Sequence, residues 1–218
     1  MYRIEPPAVY VHESVENQPK YREKVDRVMA ALANAPERIV YKDEDVPAML
    51  RDGIMAGRTP MGAMDEVRDP ILLFNTFRFD GKRDERIKWL EEEGVHSGAV
   101  DDLLGYGAFR WANYNQPGDS SAKHKVCRPC WRIHMQRGCL HRCMYCSFGG
   151  LLTSMVNMDE YCVHMGEIIK THPWQLTYLL DDDADPPGLE PELGCTGELI
   201  EYFGTLKDRY LIIHTKTW

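Results

Sequence analysis

No apolar run in these 218 residues approaches the ~18 that a membrane span needs. The opening Met1-Tyr2-Arg3-Ile4-Glu5 also lacks the apolar stretch of a signal peptide. The expectation is a soluble, cytoplasmic protein with no membrane partner. Positive charge is scarce: 26 Lys and Arg against 34 Asp and Glu leave a net charge of −8. That balance argues against wholesale wrapping by DNA or RNA, though not against a local basic patch. There are no internal repeats and no low-complexity tracts. A disulfide scaffold is missing as well. The seven cysteines are odd in number, and five of them crowd between 127 and 146. Crowding of that kind in a reducing compartment points to metal ligation or redox chemistry. With 44% hydrophobic residues the chain can build one core without disulfides, or one core and a small accessory region.

The hydrophobic pattern predicts alternating strands and helices. Ala8-Val9-Tyr10-Val11-His12 reads as a strand, and Tyr21, Val25, Val28, Met29 and Leu32 recur at helical spacing behind Pro19, predicting a helix over 19–33. Arg38–Tyr41 and Ile71–Phe77 read as strands, 42–69 as short helix and loop, and Arg83–Glu93 as a helix stopped by Gly94. From Gly94 to Ser121 the chain is rich in loop-forming residues, and 116–122 reads as a linker, dividing an accessory α/β region (1–119) from a second unit (120–218). In the second unit Asn157-Met158-Asp159-Glu160 resembles a capping box opening a helix to about Thr171. Trp174–Leu180 reads as a strand, Thr196 caps a helix ending near Gly204, and Tyr210–His214 is a final apolar strand. Such alternation implies a parallel sheet, whose ligands sit at the carboxyl ends of the strands.

Acidic residues are absent from Ser120 to Met158, while Lys123, Lys125, Arg128, Arg132, Arg137 and Arg142 supply six positive charges around the cysteines. These bases either offset thiolate charge or bind an anionic substrate. Within the segment lies Gly138-Cys139-Leu140-His141-Arg142-Cys143-Met144-Tyr145-Cys146, a C-x3-C-x2-C spacing. Two metal readings fit. Cys127, Cys130, Cys143 and Cys146 could close a tetrahedral zinc site, as in a nucleic-acid or protein adaptor, leaving Cys139 unused. Alternatively Cys139, Cys143 and Cys146 hold three irons of a [4Fe–4S] cluster and leave the fourth open to an exogenous ligand. His141, inside the loop, is placed to orient it. Cys162 falls on the apolar face of its helix and reads as core. Cys195 reads as a loop cysteine, with hydrogen donation the sharper alternative, and His134 as solvated or ion-paired. The Asp181–Asp185 run is either a solvated loop or a ligand contact at a strand end.

The three-cysteine spacing with an aromatic before the last thiol resembles the radical S-adenosylmethionine (SAM) superfamily. Gly138-Cys139-x-His141-x-Cys143-x-Tyr145-Cys146 resembles the spore photoproduct lyase family more narrowly. Val9-Tyr10-Val11 with its helix resembles that family's N-terminal region, and Leu211-Ile212-Ile213-His214-Thr215-Lys216-Thr217 its third barrel strand. The resemblance implies an α/β fold, the N-terminal half of a radical SAM (βα) barrel behind a small α/β region. It implies a lyase-like enzyme with two cofactors, a [4Fe–4S] cluster on Cys139, Cys143 and Cys146 and SAM on its open iron. Tyr145 would lie near the adenine, Lys216 would pair with the SAM carboxylate, and Asp182 or Asp183 would face the ribose or amino group. The implied chemistry is reductive cleavage of SAM to methionine and a 5′-deoxyadenosyl radical, which abstracts hydrogen from a substrate such as a nucleic-acid lesion in DNA repair. The implied partners are a one-electron reductant such as flavodoxin or ferredoxin, and nucleic acid.

The sequence departs from the family at three places. Where the family's DNA-repair enzymes carry a hydrogen-donor cysteine, this chain reads Leu180-Asp181-Asp182, and the residue after Cys146 is Ser147 rather than an aromatic. The third departure is extent: about three strand–helix units precede Trp218, against the roughly six of a full core. The expectation is a piece of a longer protein or a degenerate half-barrel, inactive by itself, with an unpaired outer edge on its third strand.

Overall fold

The computed structural model describes residues 4–55, 69–110, 130–141, 143, 145, 146 and 150–217. The N-terminal part alternates as expected. Strand β1 (Ala8–His12) leads through the one-turn helix α1 (Glu13–Glu16) into α2 (Pro19–Ala31), then β2 (Glu37–Tyr41). A 3-10 turn (Asp43–Asp45) and α3 (Val46–Arg51) follow, then β3 (Ile71–Asn75) and α4 (Arg83–Glu92). Gly94, at φ +69°, supplies the left-handed turn that ends α4. The stretch after it, expected to be loop, instead forms a 3-10 turn (Ser97–Ala99) and α5 (Val100–Leu103), with Ala99, Val100, Leu103 and Leu104 fully buried. Their apolar side chains cover one face of the sheet, and a face of that kind overrides the weak helical propensity of a glycine-rich segment.

Strand β4 (Phe109–Arg110) is followed by β5 (Trp131–Ile133), β6 (Gln136–Arg137), β7 (Leu151–Met155), α6 (Met158–Thr171), β8 (Thr177–Leu180), α7 (Cys195–Gly204) and β9 (Tyr210–Ile213). Two sheets result. One has the order β2-β1-β3-β7-β6 and the other β4-β5-β8-β9. Strands β5, β8 and β9 run parallel, with α6 between β5 and β8 and α7 between β8 and β9, so this half of the chain is a partial (βα) barrel. Strand β9 is the last strand of its sheet.

The expected linker at 116–122 lies outside the described residues. What lies on its two sides is joined: β3 pairs in parallel with β7, from Ile71↔Leu151 to Asn75↔Met155. Side-chain alternation does the rest. Val9, Val11, Leu72 and Phe74 point into a core shared with Trp131, Ile133, Tyr178, Tyr161, Met165 and Leu199, while Leu73 and Tyr41 pack on the opposite face with Val46, Leu90 and Leu103. Among the described residues no helix is long and apolar enough to cross a membrane.

Two expected caps are built differently. Asn157 does not cap α6 through its own side chain. Fully buried, its Oδ1 accepts the Phe77 N–H at 2.7 Å and its Nδ2 donates to the Phe77 carbonyl at 3.0 Å, so it fastens the chain after β3 to the start of α6. Helix α7 begins after Gly194, and the Glu190 carboxylate accepts the Gly194 and Thr196 N–H groups, each at 2.7 Å. Thr196 itself donates to the Pro186 carbonyl. In each case the partner is distant in sequence or lies before the cap, where a local pattern does not look.

At the carboxyl ends of β1, β2 and β3 a polar network closes the sheet. Asp43 accepts both Nη atoms of Arg78 at 2.6 Å, Arg86 at 3.1 Å and His12 Nε2 at 3.1 Å. Burial acts to raise the Asp43 pKa, but His12 and Arg78 outweigh it and hold the carboxyl well below the usual range. A carboxyl lowered on folding adds stability above its unfolded pKa near ~4, and that stability is lost as pH falls. Asp43→Asn should therefore cost about 3–5 kcal/mol at pH 7, because it leaves Arg78 and His12 without their anion. Denaturant unfolding of the two proteins from pH 7 to acid checks this, and the difference between them should shrink below about pH 4.

Candidate functional site

The cysteine loop leaves the five-stranded sheet after β6 and returns to it at β7. Its entry is fixed by Gly138, whose φ of +89° lies in the left-handed region and whose missing Cβ would stand 1.9 Å from the Leu151 carbonyl oxygen. Its N–H donates to the Asp183 carbonyl at 3.2 Å. Only glycine satisfies both demands. The glycine before Cys139 is thus a matter of backbone passage between β7 and the loop after β8.

Cys139, Cys143 and Cys146 are all half-buried. The Cys139 thiol is raised in pKa by burial, opposed by the His141 N–H at 3.4 Å from its sulfur, and raised further by Asp185, Cys143 and Cys146. The Cys139 sulfur therefore lies close enough to Cys143 and Cys146 to be affected by them. A soft trivalent donor set of this kind, partly open to solvent, fits an iron–sulfur cluster with one free iron. Cys130, half-buried just before β5, belongs to the alternative zinc set, while its partner Cys127 lies outside the described residues.

The loop is tied to the barrel by a residue that the sequence did not single out from its neighbours. Asp185, 6% exposed, accepts Thr215 Oγ1 and the Lys216 N–H at 2.6 Å, the Thr217 N–H at 3.2 Å and His141 Nε2 at 3.0 Å. Burial works to raise its pKa, but the Thr215 hydroxyl, the Lys216 N–H and His141 prevail and lower it. One carboxylate thus joins the cysteine loop to the segment after β9. Above it Lys216 Nζ stands 5.6 Å from the centre of the Tyr145 ring. Tyr145 is two-thirds exposed and Lys216 is exposed, so both face the mouth rather than the core. The Tyr145 hydroxyl is the main cause that raises the Lys216 pKa, with the thiols of Cys143 and Cys139 adding to it, so the ammonium is held charged.

The acidic run after β8 is not a solvated loop. Asp181 is fully buried at φ +46° and accepts His134 Nδ1 at 3.2 Å, the Met135 N–H at 3.1 Å and the Gln136 N–H at 3.1 Å. Asp182 pairs with Arg132 Nε at 2.9 Å, and Asp183 meets Gly138 through its backbone. Two bases of the acid-free segment, Arg132 and Arg137, find acidic partners in Asp182 and Asp102. They offset carboxylates rather than thiolates. Lys123, Lys125, Arg128 and Arg142 lie outside the described residues. Cys195, considered as a hydrogen donor, is fully buried 3.6 Å from Lys24 Nζ, and burial pushes its thiol up to about 12. Cys162 packs half-buried against the same core.

Among solved structures the chain matches spore photoproduct lyase. A double mutant of that enzyme with bound AdoMet and dinucleoside spore photoproduct superposes with a TM-score of 0.55 at 14% identity, over 96% of this chain and 49% of that one. The form complexed with dinucleoside spore photoproduct gives 0.54 at 14% identity over the same shares. A single mutant gives 0.53 at 11%. This chain spans about half the length of the structures it matches, and at these identities the likeness is one of fold. No family model matches the sequence, and no curated protein does.

Gly138→Ala should leave the α/β core folded but push the cysteine loop off β7. Hydrogen exchange over 138–146 should quicken about tenfold or more, with exchange in β1 and β3 unchanged. Unchanged exchange in the loop would mean that the glycine is dispensable there.

Proposed function

We propose that this chain is the SAM-binding half of a radical SAM enzyme of the spore photoproduct lyase type. The observation that carries the reading is the convergence, at the open end of a partial barrel, of three neighbouring thiols, Tyr145 and Lys216, from segments some seventy residues apart in sequence. Cys139, Cys143 and Cys146 would hold the [4Fe–4S] cluster, which when bound supplies the electron that splits SAM into methionine and a 5′-deoxyadenosyl radical. The protein's own part is to bind and orient. Lys216, held charged beside Tyr145, is placed to meet the SAM carboxylate, and the Tyr145 ring offers an exposed face to the adenine. Asp185 keeps the two segments in register through His141 and the 215–217 backbone.

Asp182 and Asp183 are not assigned to SAM in this reading, since Arg132, His134 and Gly138 define their surroundings. Hydrogen abstraction from a nucleic-acid lesion, with flavodoxin or ferredoxin as electron donor, is the activity this reading extends to the whole protein. In that case the hydrogen returned to product does not come from residue 181, which is a buried aspartate, nor from Cys195, which is sealed in the core.

Anaerobic reconstitution with iron and sulfide should give a brown protein that loses its colour in Cys139→Ala. A colourless protein holding one zinc, indifferent to Cys139→Ala, would instead favour the set of Cys127, Cys130, Cys143 and Cys146. In the reconstituted protein Lys216→Ala should weaken SAM binding about tenfold, the worth of one charge-assisted hydrogen bond, without loss of iron. Equilibrium dialysis with labelled SAM measures it.

A further inference from the structure

Beside the cysteine loop, but free of thiols, lies a second arrangement of ligating atoms. His134, Asp182 and Asp183 each offer one donor atom, and these atoms lie within 4.8 Å of one another. They come from two elements: His134 follows β5, and the aspartates follow β8, at the carboxyl edge where ligands of such sheets bind.

The surroundings prepare the histidine for a cation. Nδ1 of His134 is 3.2 Å from the buried carboxylate of Asp181, which is itself anchored by the Met135 and Gln136 N–H groups. With its proton on Nδ1, the ring presents the Nε2 lone pair to Asp182. This is the carboxylate–histidine pairing that orients metal-bound imidazoles. Nε2 and Asp182 Oδ1 stand 3.9 Å apart, too far for a hydrogen bond, and Oδ1 is buried without a hydrogen-bond partner among the described residues. A cation about 2.1 Å from each atom spans such a gap. Charge agrees: Asp182 and Asp183 follow buried Asp181 directly, and among the described residues Arg132 pairs with Asp182 while neighbouring Arg137 is already bound by Asp102.

A second, independent observation adjoins these atoms on the side of His134 and Asp183. Gln136, 3% exposed, has a buried Nε2 without a hydrogen-bond partner among the described residues, and it lines a cavity of about 20 Å³ together with His134, Asp183 and Thr153. That volume holds one water molecule. A buried donor is costly to leave unsatisfied, and a metal-bound water would satisfy it.

We propose that His134 Nε2, Asp182 Oδ1 and the Asp183 carboxylate form a binding site for a divalent transition-metal ion, with Asp181 orienting the histidine. The one-nitrogen, two-oxygen donor set suits Mn²⁺, Fe²⁺, Co²⁺ or Zn²⁺, and positions left by the three side chains take water. The site stands apart from the iron–sulfur reading, because it uses none of that reading's residues.

Two measurements test it on the full-length chain. Mn²⁺, which thiolates hold poorly, is titrated into the otherwise unmodified protein and followed by electron paramagnetic resonance. Co²⁺ is titrated into the Cys139→Ala, Cys143→Ala, Cys146→Ala variant, with circular dichroism confirming the fold, and read from its visible spectrum. One equivalent should bind with a nitrogen and oxygen spectrum free of thiolate charge-transfer bands. Asp182→Asn and His134→Gln should each abolish it, and Asp181→Asn should weaken it about 10–100-fold, the usual loss when a ligand's hydrogen-bond partner is removed. Failure of both ions to bind, or binding unchanged in Asp182→Asn and His134→Gln, overturns the proposal. Either result leaves the cluster reading intact, since that reading is decided by iron content and Cys139→Ala.

Discussion

A carboxylate has room for about four donors, and Asp185 fills all of them from two separate parts of the chain. His141 reaches it from the cysteine loop, and Thr215, Lys216 and Thr217 reach it from the far end of β9. Without that anion the loop would lose its shared anchor with the segment bearing Lys216, and among the described residues the His141–Thr217 hydrogen bond would be left to join the two directly. Hydrogen bonds to a charged group are the stronger kind, about 1.5–3 kcal/mol each, and several on one buried carboxylate make its removal costly. The geometry of the whole mouth is therefore referred to a single side chain in the loop after β8.

Much of this was legible in the sequence where the signal is local. Strands β1, β2, β3 and β9 and helices α2, α4 and α6 fall within a few residues of the pattern read from periodicity and breakers, because each buries one regular face. The alternation of strands and helices followed from the same signal, and the half-barrel from the resemblance of the cysteine motif. Strand β7 did not, although Leu151-Leu152-Thr153-Ser154-Met155 after a glycine pair is a short apolar run of the right length.

The misreadings in the site share one cause. Asp181 through Asp185 look alike in sequence, and nothing local distinguishes the two that are buried from those nearer solvent. What separates them is direction at the end of β8. Asp181 turns inward at positive φ onto the β5–β6 connection, and Asp185 lies under β9, while Asp182 and Asp183 point toward His134. Likewise Asn157 resembled a helix cap but serves Phe77, eighty residues earlier. Polar side chains whose partners are remote carry no periodicity, so their roles emerge only once the chain is folded.

The pairing of β3 with β7 also has a meaning for synthesis on the ribosome. Strands β1, β2 and β3 leave the exit tunnel long before Leu151–Met155 exists, so the free edge of β3 waits for a neighbour that has not yet been made. Contacts of such long sequence separation form slowly, and exposed edges invite wrong partners meanwhile. The polar lid of His12, Asp43 and Arg78 is complete as soon as residue 78 is out, and it can hold the three early strands together through that interval. Those three strands would then act as a preformed template, on which the cysteine-bearing half is laid down strand by strand.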